Sequence, residues 1–127
     1  MKDQDCELFA RRLEKALDDE VFLNPRYSLE DLSRALLTNT SYASAFIREW
    51  YGRNFNSVMN LARLRYAERY AAELSMTLRD IALQSGFSSY GNMLRACVRE
   101  LGTTPDRWRK DIITRICNSK HSHNIQR

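Results

Sequence analysis

Apolar residues recur along this chain at helical spacing, and the pattern they make occurs twice. Between residues 5 and 22, Leu8, Phe9, Leu13, Leu17 and Val21 stand among charged positions. That spacing predicts an amphipathic helix, ended by Asn24-Pro25. Ser28 opens a second helix with Asp31 placed as in a capping box, and Leu29, Leu32 and Leu36 form its inner face. After a turn at residues 38–41, a third helix carries Phe46, Ile47 and Trp50 on one side. Ser41, Ser44, Ala45 and Arg48 lie on the other, and Gly52 stops it. A long helix is predicted from Phe55 to Leu74, with Val58, Leu61, Ala62, Leu64, Tyr66 and Tyr70 inward and Arg63, Arg65, Glu68 and Arg69 charged elsewhere. Its length of about 30 Å is close to the roughly 34 Å that separates successive major-groove faces of B-DNA.

The second copy begins at Thr77, read as the N-cap of a helix with Leu78, Ile81 and Ala82 buried. Gly86 supplies the turn and Ser88 is read as the next cap. In the following helix Met93, Ala96, Cys97 and Leu101 face inward, while Tyr90, Gly91, Leu94, Arg95, Val98 and Arg99 face out, up to Gly102. Thr103 or Thr104, with Pro105, opens a last helix bearing Trp108, Ile112, Ile113 and Ile116, and a polar tail runs from Ser119 to Arg127. The offset between copies is 49 residues from Leu29 to Leu78 and 50 from Gly52 to Gly102. The extra residue falls in the turn, where a loop accepts it and both helices keep their register. Two helix-turn-helix units in one small basic chain point to two reading heads for duplex DNA.

Composition sharpens this picture. The 127 residues include only four Gly and two Pro, too few for an all-β fold with its many turns. No apolar run approaches membrane-spanning length and no secretory leader precedes the first helix, so a cytoplasmic location is expected. Residues 1–31 carry five Lys/Arg against nine Asp/Glu, whereas the remaining 96 carry fifteen against seven. A basic body suits a polyanion. Cys6, Cys97 and Cys117 have neither disulfide nor zinc spacing, and Cys97 falls on an apolar helix face as a packing residue. His121 and His123 lack the acidic or thiol neighbours of a metal site. No cofactor is expected, nor an enzyme, since no nucleophile motif or phosphate loop is present.

The run Asp80-Ile-Ala-Leu-Gln-Ser-Gly-Phe-Ser-Ser, followed by Arg95, Gly102, Thr104-Pro105 and Trp108-Arg109, resembles the DNA-binding domain of the AraC/XylS family of bacterial transcription regulators. The first copy adds Leu32, Tyr42, Ser44, Gly52, Phe55 and Arg63-Leu-Arg65. The resemblance implies an all-α fold of seven helices, with two helix-turn-helix units joined by a linker helix and each unit's second helix in a major groove. Many members carry this domain behind a sensory or signal-receiving domain, and the first helix here is then the junction to it. The chain departs from the family pattern at Ala43, Ala45, Ile47, Asn92, Met93, Leu94 and Cys97. The resulting division is an N-terminal helix at 1–25, a first unit at 26–54, a linker at 55–75, a second unit at 76–118 and a tail at 119–127.

The candidate DNA-binding residues are Thr40, Ser41, Ser44, Ala45, Arg48 and Arg53 in the first unit, and Ser89, Tyr90, Gly91, Leu94, Arg95, Arg99 and Thr104 in the second. Arg95 suits a bidentate contact to guanine, and the small residues of the first unit suit thymine methyls. Arg48 and Arg53 fit phosphates, as do Thr40 and Thr104 near helix starts, although capping is the simpler role for Thr104. The expected partners are promoter or operator duplex DNA, RNA polymerase and a sensory domain absent from this chain, with no membrane contact. The same residues leave an alternative open, a helical protein-interaction module docking through Leu94 and Val98.

Overall fold

The computed structural model describes residues 3–125, with side chains described from 5 to 120. Seven α-helices, and no strand, occur among the described residues: α1 Asp3–Asp18, α2 Leu29–Ala35, α3 Thr40–Tyr51, α4 Phe55–Ala67, α5 Leu78–Gln84, α6 Tyr90–Ala96 and α7 Pro105–Ile125. The chain divides into two compact units, residues 1–63 and 64–127, and the division falls inside α4. Among the described residues, no helix is long and apolar enough to cross a membrane.

In the first unit α1 packs on both α2 and α3, and α2 packs on α3. Leu13, Leu32, Leu36, Ala43, Phe46 and Ile47 are fully buried, and the Phe9 ring lies 5.6 Å from that of Phe46. Helix α1 ends earlier than the sequence predicts. Glu20 takes a left-handed conformation (φ 59°), and a 3₁₀ turn at Val21–Leu23 buries Phe22. Arg63 is a second departure. It was expected among the charged solvent-facing residues, but it is only 9% exposed. Its Nε donates to the Phe22 carbonyl at 2.7 Å and its Nη2 to that of Asn24 at 3.2 Å, so it ties α4 to the turn after α1. Burial holds the Arg63 guanidinium below its usual range.

The second unit has a core of Leu64, Ala67, Ala71, Ile81, Ala82, Phe87, Met93, Ala96, Cys97, Trp108 and Ile112. The regular part of α4 ends at Ala67 rather than at Leu74, and a 3₁₀ turn at Glu68–Tyr70 follows. At thirteen residues, α4 is about 20 Å long, so the expected match to the groove repeat does not hold. Beyond that end, Arg109 holds the non-helical stretch in place, its Nε, Nη1 and Nη2 donating to the carbonyls of Ala71, Met76 and Glu73 at 2.8, 2.8 and 2.5 Å. In a continuing helix those carbonyls would accept from N–H groups four residues on. Helix α7 runs to Ile125, past the expected start of a tail at Ser119, because nothing after Pro105 breaks it. The side chains of His121 and His123 lie outside those described.

Two core expectations are corrected. Trp50 is 48% exposed and meets the core ring of Phe46 edge-on, with ring centroids 5.9 Å apart. Leu101 is 42% exposed, because α6 runs into a π turn at Cys97–Leu101. The wider turn rotates the residues at its end away from the helical register that placed Leu101 inward.

Candidate nucleic-acid interface

Each unit builds its outward helix face from the same parts. In the first, the Ser28 Oγ accepts from the Asp31 N–H at 3.2 Å while the Asp31 carboxylate accepts from the Ser28 N–H at 2.9 Å. In the second, Thr77 and Asp80 repeat this reciprocal cap at 3.1 and 3.0 Å. The N–H of the capping residue holds each carboxyl below the usual carboxylate range. Helices α2 and α5, seven residues each, then end at different turns. Four residues, 36–39, lead to α3, and five, 85–89, lead to α6, which is where the sequence placed its extra residue. The left-handed position in the second turn is Gly86 (φ 94°), and in the first it is Leu37 (φ 59°). The caps of the outward helices are Asn39, which accepts from the Tyr42 N–H at 2.9 Å, and Ser89, which accepts from the Asn92 N–H at 3.1 Å. Ser89, not Ser88 as expected, therefore caps α6. Glycines at positive φ, Gly52 and Gly102, close both helices.

Helix α3 buries Ala43, Phe46 and Ile47. Its period then turns Thr40, Ser41 and Arg48 fully outward and leaves Ser44 and Ala45 half-buried. These five residues and Leu29 line a shallow, open concavity. Leu29 was expected in the core, yet it sits half-exposed beside the outward face of α3. Arg53 is not part of the concavity. It lies in the turn before α4, with its Nη1 3.4 Å from the Ser57 Oγ.

Helix α6 buries Met93 and Ala96, with Cys97 behind them. Ser89 and Arg95 are exposed, Tyr90, Gly91 and Leu94 half-buried, and Val98 is 52% exposed. With the offset of 50, Thr40, Ser41, Ser44, Ala45 and Arg48 correspond to Tyr90, Gly91, Leu94, Arg95 and Val98. The cation thus sits at the fourth of these positions in one unit and the fifth in the other. Arg99 is exposed on the π turn. Thr104 lies away from α6 at the start of α7, where its carbonyl accepts from the Trp108 N–H at 2.8 Å. Its Oγ1 is 3.4 Å from the Arg107 N–H, as a cap.

Arg95 does not extend straight from the helix. Its Nη2 donates to the Asn92 Oδ1, and the Asn92 Nδ2 donates in turn to the Ser88 Oγ. The guanidinium lies over the first turn of α6, where a Cβ on Gly91 would meet Arg95 Nη1 at 3.5 Å. Neither Asn92 as the partner of Arg95 nor Ser88 as that of Asn92 was expected from the sequence, although the i, i+3 spacing of Asn92 and Arg95 was the signal. Among the described residues, no group of three His, Cys, Asp or Glu could hold a metal ion.

A family model described as a helix-turn-helix domain matches residues 32–111. An uncharacterized HTH-type transcriptional regulator of Staphylococcus aureus strain COL is 30% identical over 92 residues, which are 72% of this chain and 12% of that protein. The regulator YtdP of Bacillus subtilis strain 168, also uncharacterized, is 26% identical over 83 residues, 65% of this chain and 11% of its own length. The chain therefore spans only about an eighth of these relatives. Among solved structures, the C-terminal domain of AraT, a response regulator from Geobacillus stearothermophilus, has a TM-score of 0.69 at 18% identity, covering 82% of this chain and 84% of that one. The DNA-binding domain of the global transcriptional factor AdpA, solved with a target DNA, has a TM-score of 0.70 at 20% identity, covering 84% and 94%. At these identities the likeness is one of fold. A Listeria innocua protein of unknown function reaches 26% identity with a TM-score of 0.64, covering 77% and 90%.

Proposed function

The chain belongs to the AraC/XylS family of helix-turn-helix domains, and from that premise we propose that it binds double-stranded DNA sequence-specifically, as the DNA-reading part of a bacterial transcription regulator. The observation that carries this reading is the repeated outward face. Twice, a capped short helix is followed by a second helix whose outer residues are left open by the core. A major groove about 12 Å wide admits one helix of about 10–12 Å diameter. In the first unit, Ser41, Ser44 and Ala45 lie against bases and thymine methyls, and their small size makes recognition there depend on groove shape. In the second, Arg95 carries the directional contact. Arg48, Arg53 and Arg99 hold phosphates, and Thr40 adds a contact at the start of α3. The excess of Lys and Arg beyond residue 31 supplies the non-specific attraction.

The family and fold are those of DNA-binding regulators, and we assign the chain no catalysis. We place it in the cytoplasm, on promoter DNA, with RNA polymerase and a sensory domain of the longer protein as further partners. The test is a mobility-shift titration with duplexes from upstream of its own gene. The affinity should fall with salt, with a log–log slope of about −0.9 per phosphate contact. No shift at low salt, or binding indifferent to salt, would overturn the reading. The exposed Val98 and Leu101 favour one second reading, a protein-docking module. It would give a partner complex that survives high salt, without DNA.

A further inference from the structure

Arg95 can hold many rotamers from an exposed helix position, and each lost on binding weakens recognition. Here the guanidinium is already engaged. Asn92 Oδ1 takes one Nη2 hydrogen, and Asn92 is itself fixed by the Ser88 Oγ, one residue before the Ser89 cap. Gly91 leaves the surface under Arg95 free of a side chain. A guanidinium has five N–H donors. One spent on Asn92 leaves Nε, Nη1 and the second Nη2 hydrogen, enough for the two parallel bonds that guanine O6 and N7 accept.

Asparagine at a reading helix has an obvious alternative use, since its amide can pair bidentately with adenine N6 and N7. That use needs Oδ1 and Nδ2 turned together onto one base edge, and here each is aimed within the chain instead, Oδ1 at Arg95 and Nδ2 at Ser88. We propose that Asn92 is a positioning residue. It does not read a base but holds Arg95 so that the second unit reads guanine, which makes the Ser88–Asn92–Arg95 relay a determinant of specificity. This rests on the DNA-binding reading above and adds to its Arg95–guanine contact the residue that orients it.

The experiment uses the full chain and a duplex selected by it from a randomised library, with the guanine opposite α6 located by substitution. That guanine is replaced by 7-deazaguanine, which lacks the N7 acceptor. Wild-type chain should lose roughly ten- to a hundred-fold in affinity, and Arg95→Ala should be indifferent to the replacement. Asn92→Ala should keep its helix by circular dichroism and bind random DNA as wild type does. Its discrimination against 7-deazaguanine should shrink several-fold, and adding Asn92→Ala to Arg95→Ala should change nothing further. Asn92→Asp, which keeps an acceptor for Arg95, should restore the discrimination. If Asn92→Ala instead relaxes an adenine position, and does so equally in the Arg95→Ala background, Asn92 is a base reader and the proposal is wrong. Discrimination untouched by Asn92→Ala also overturns it, while the DNA-binding reading stands. A wild-type chain that selects no duplex overturns both.

Discussion

Removing the Arg109 guanidinium is the most informative perturbation of the scaffold. Its three bonds, to the carbonyls of Ala71, Met76 and Glu73, close the 3₁₀ end of α4 onto α7 across 33 to 38 residues of sequence. Hydrogen bonds to a charged donor contribute about 1.5–3 kcal/mol each when water is excluded. Residues 72–75 are exposed, however, so water can take over part of the role of the Glu73 contact. Arg109→Ala is therefore expected to cost about 3 kcal/mol, well below the simple sum. Arg109→Lys, a point charge that can satisfy one carbonyl and not a fork of three, should cost about 2 kcal/mol. The assay is urea denaturation followed by Trp108 fluorescence in a Trp50→Phe background. Trp108 is 5% exposed in the second unit's core and Trp50 is half-exposed in the first. A loss below about 0.5 kcal/mol for Arg109→Ala, or lysine matching arginine, would mean the carbonyls are served equally by water and the clamp argument is wrong.

Three further outcomes are expected. Leu37→Gly should stabilise the first unit by about 0.5–1 kcal/mol in urea melts, because a left-handed leucine costs about 1–2 kcal/mol and glycine's extra chain entropy returns only part of it. That leucine is 75% exposed at φ 59°, so its side chain offers little packing to lose. Ser85→Ala should be neutral or stabilising by up to about 1 kcal/mol, because its buried Oγ has no partner. Ser33→Ala, which breaks a 2.7 Å bond to the Glu30 carbonyl, should destabilise instead, and equal effects on thermal unfolding would contradict the assignment. Burial pushes the Cys97 thiol up to about 11, from 9.0, so iodoacetamide should label exposed Cys117 and spare Cys97, read by mass spectrometry. Its folded value lies above the unfolded one, so the linked stability is intact below about pH 9 and is lost as pH rises through 11. Cys97→Ala should flatten that fall.

What the sequence made legible was local. The Ser28/Asp31 box, the Thr77 N-cap, the glycines closing α3 and α6, and the extra residue in the second turn all follow from side chains acting within four or five positions. Illegible were the places where a cation crosses the chain to distant carbonyls. Arg63 reaches back 41 residues to Phe22, and Arg109 reaches back to Ala71. An arginine in a helical pattern reads as solvated, and its donors carry no sequence mark of where their acceptors lie. The same gap leaves the shortened α4 unforeseen, since no breaker within the predicted helix marks its end and the carbonyls beyond it are served by Arg109.

The candidate interface divides along the same line. Which residues of α3 and α6 face outward follows from period alone, once Phe46 and Ile47, or Met93 and Cys97, are assigned to the core. What those residues are prepared to do depends on side-chain partners, and the two units differ there. The first offers hydroxyls and methyls flanked by Arg48, with Leu29 beside them. The second offers one arginine already oriented by an amide. The two faces repeat one pattern but place their cation differently, at Arg48 in the first and at Arg95, the match of Ala45, in the second. In the second an amide neighbour holds that cation, so base selectivity should concentrate in α6 while α3 contributes fit to the groove. Exchanging Ser44-Ala45 for Leu-Arg would place an arginine at the α3 position that matches Arg95, but without the equivalent of Asn92, where Tyr42 stands. A graft of that kind should raise affinity for all duplexes more than it raises preference for any one of them.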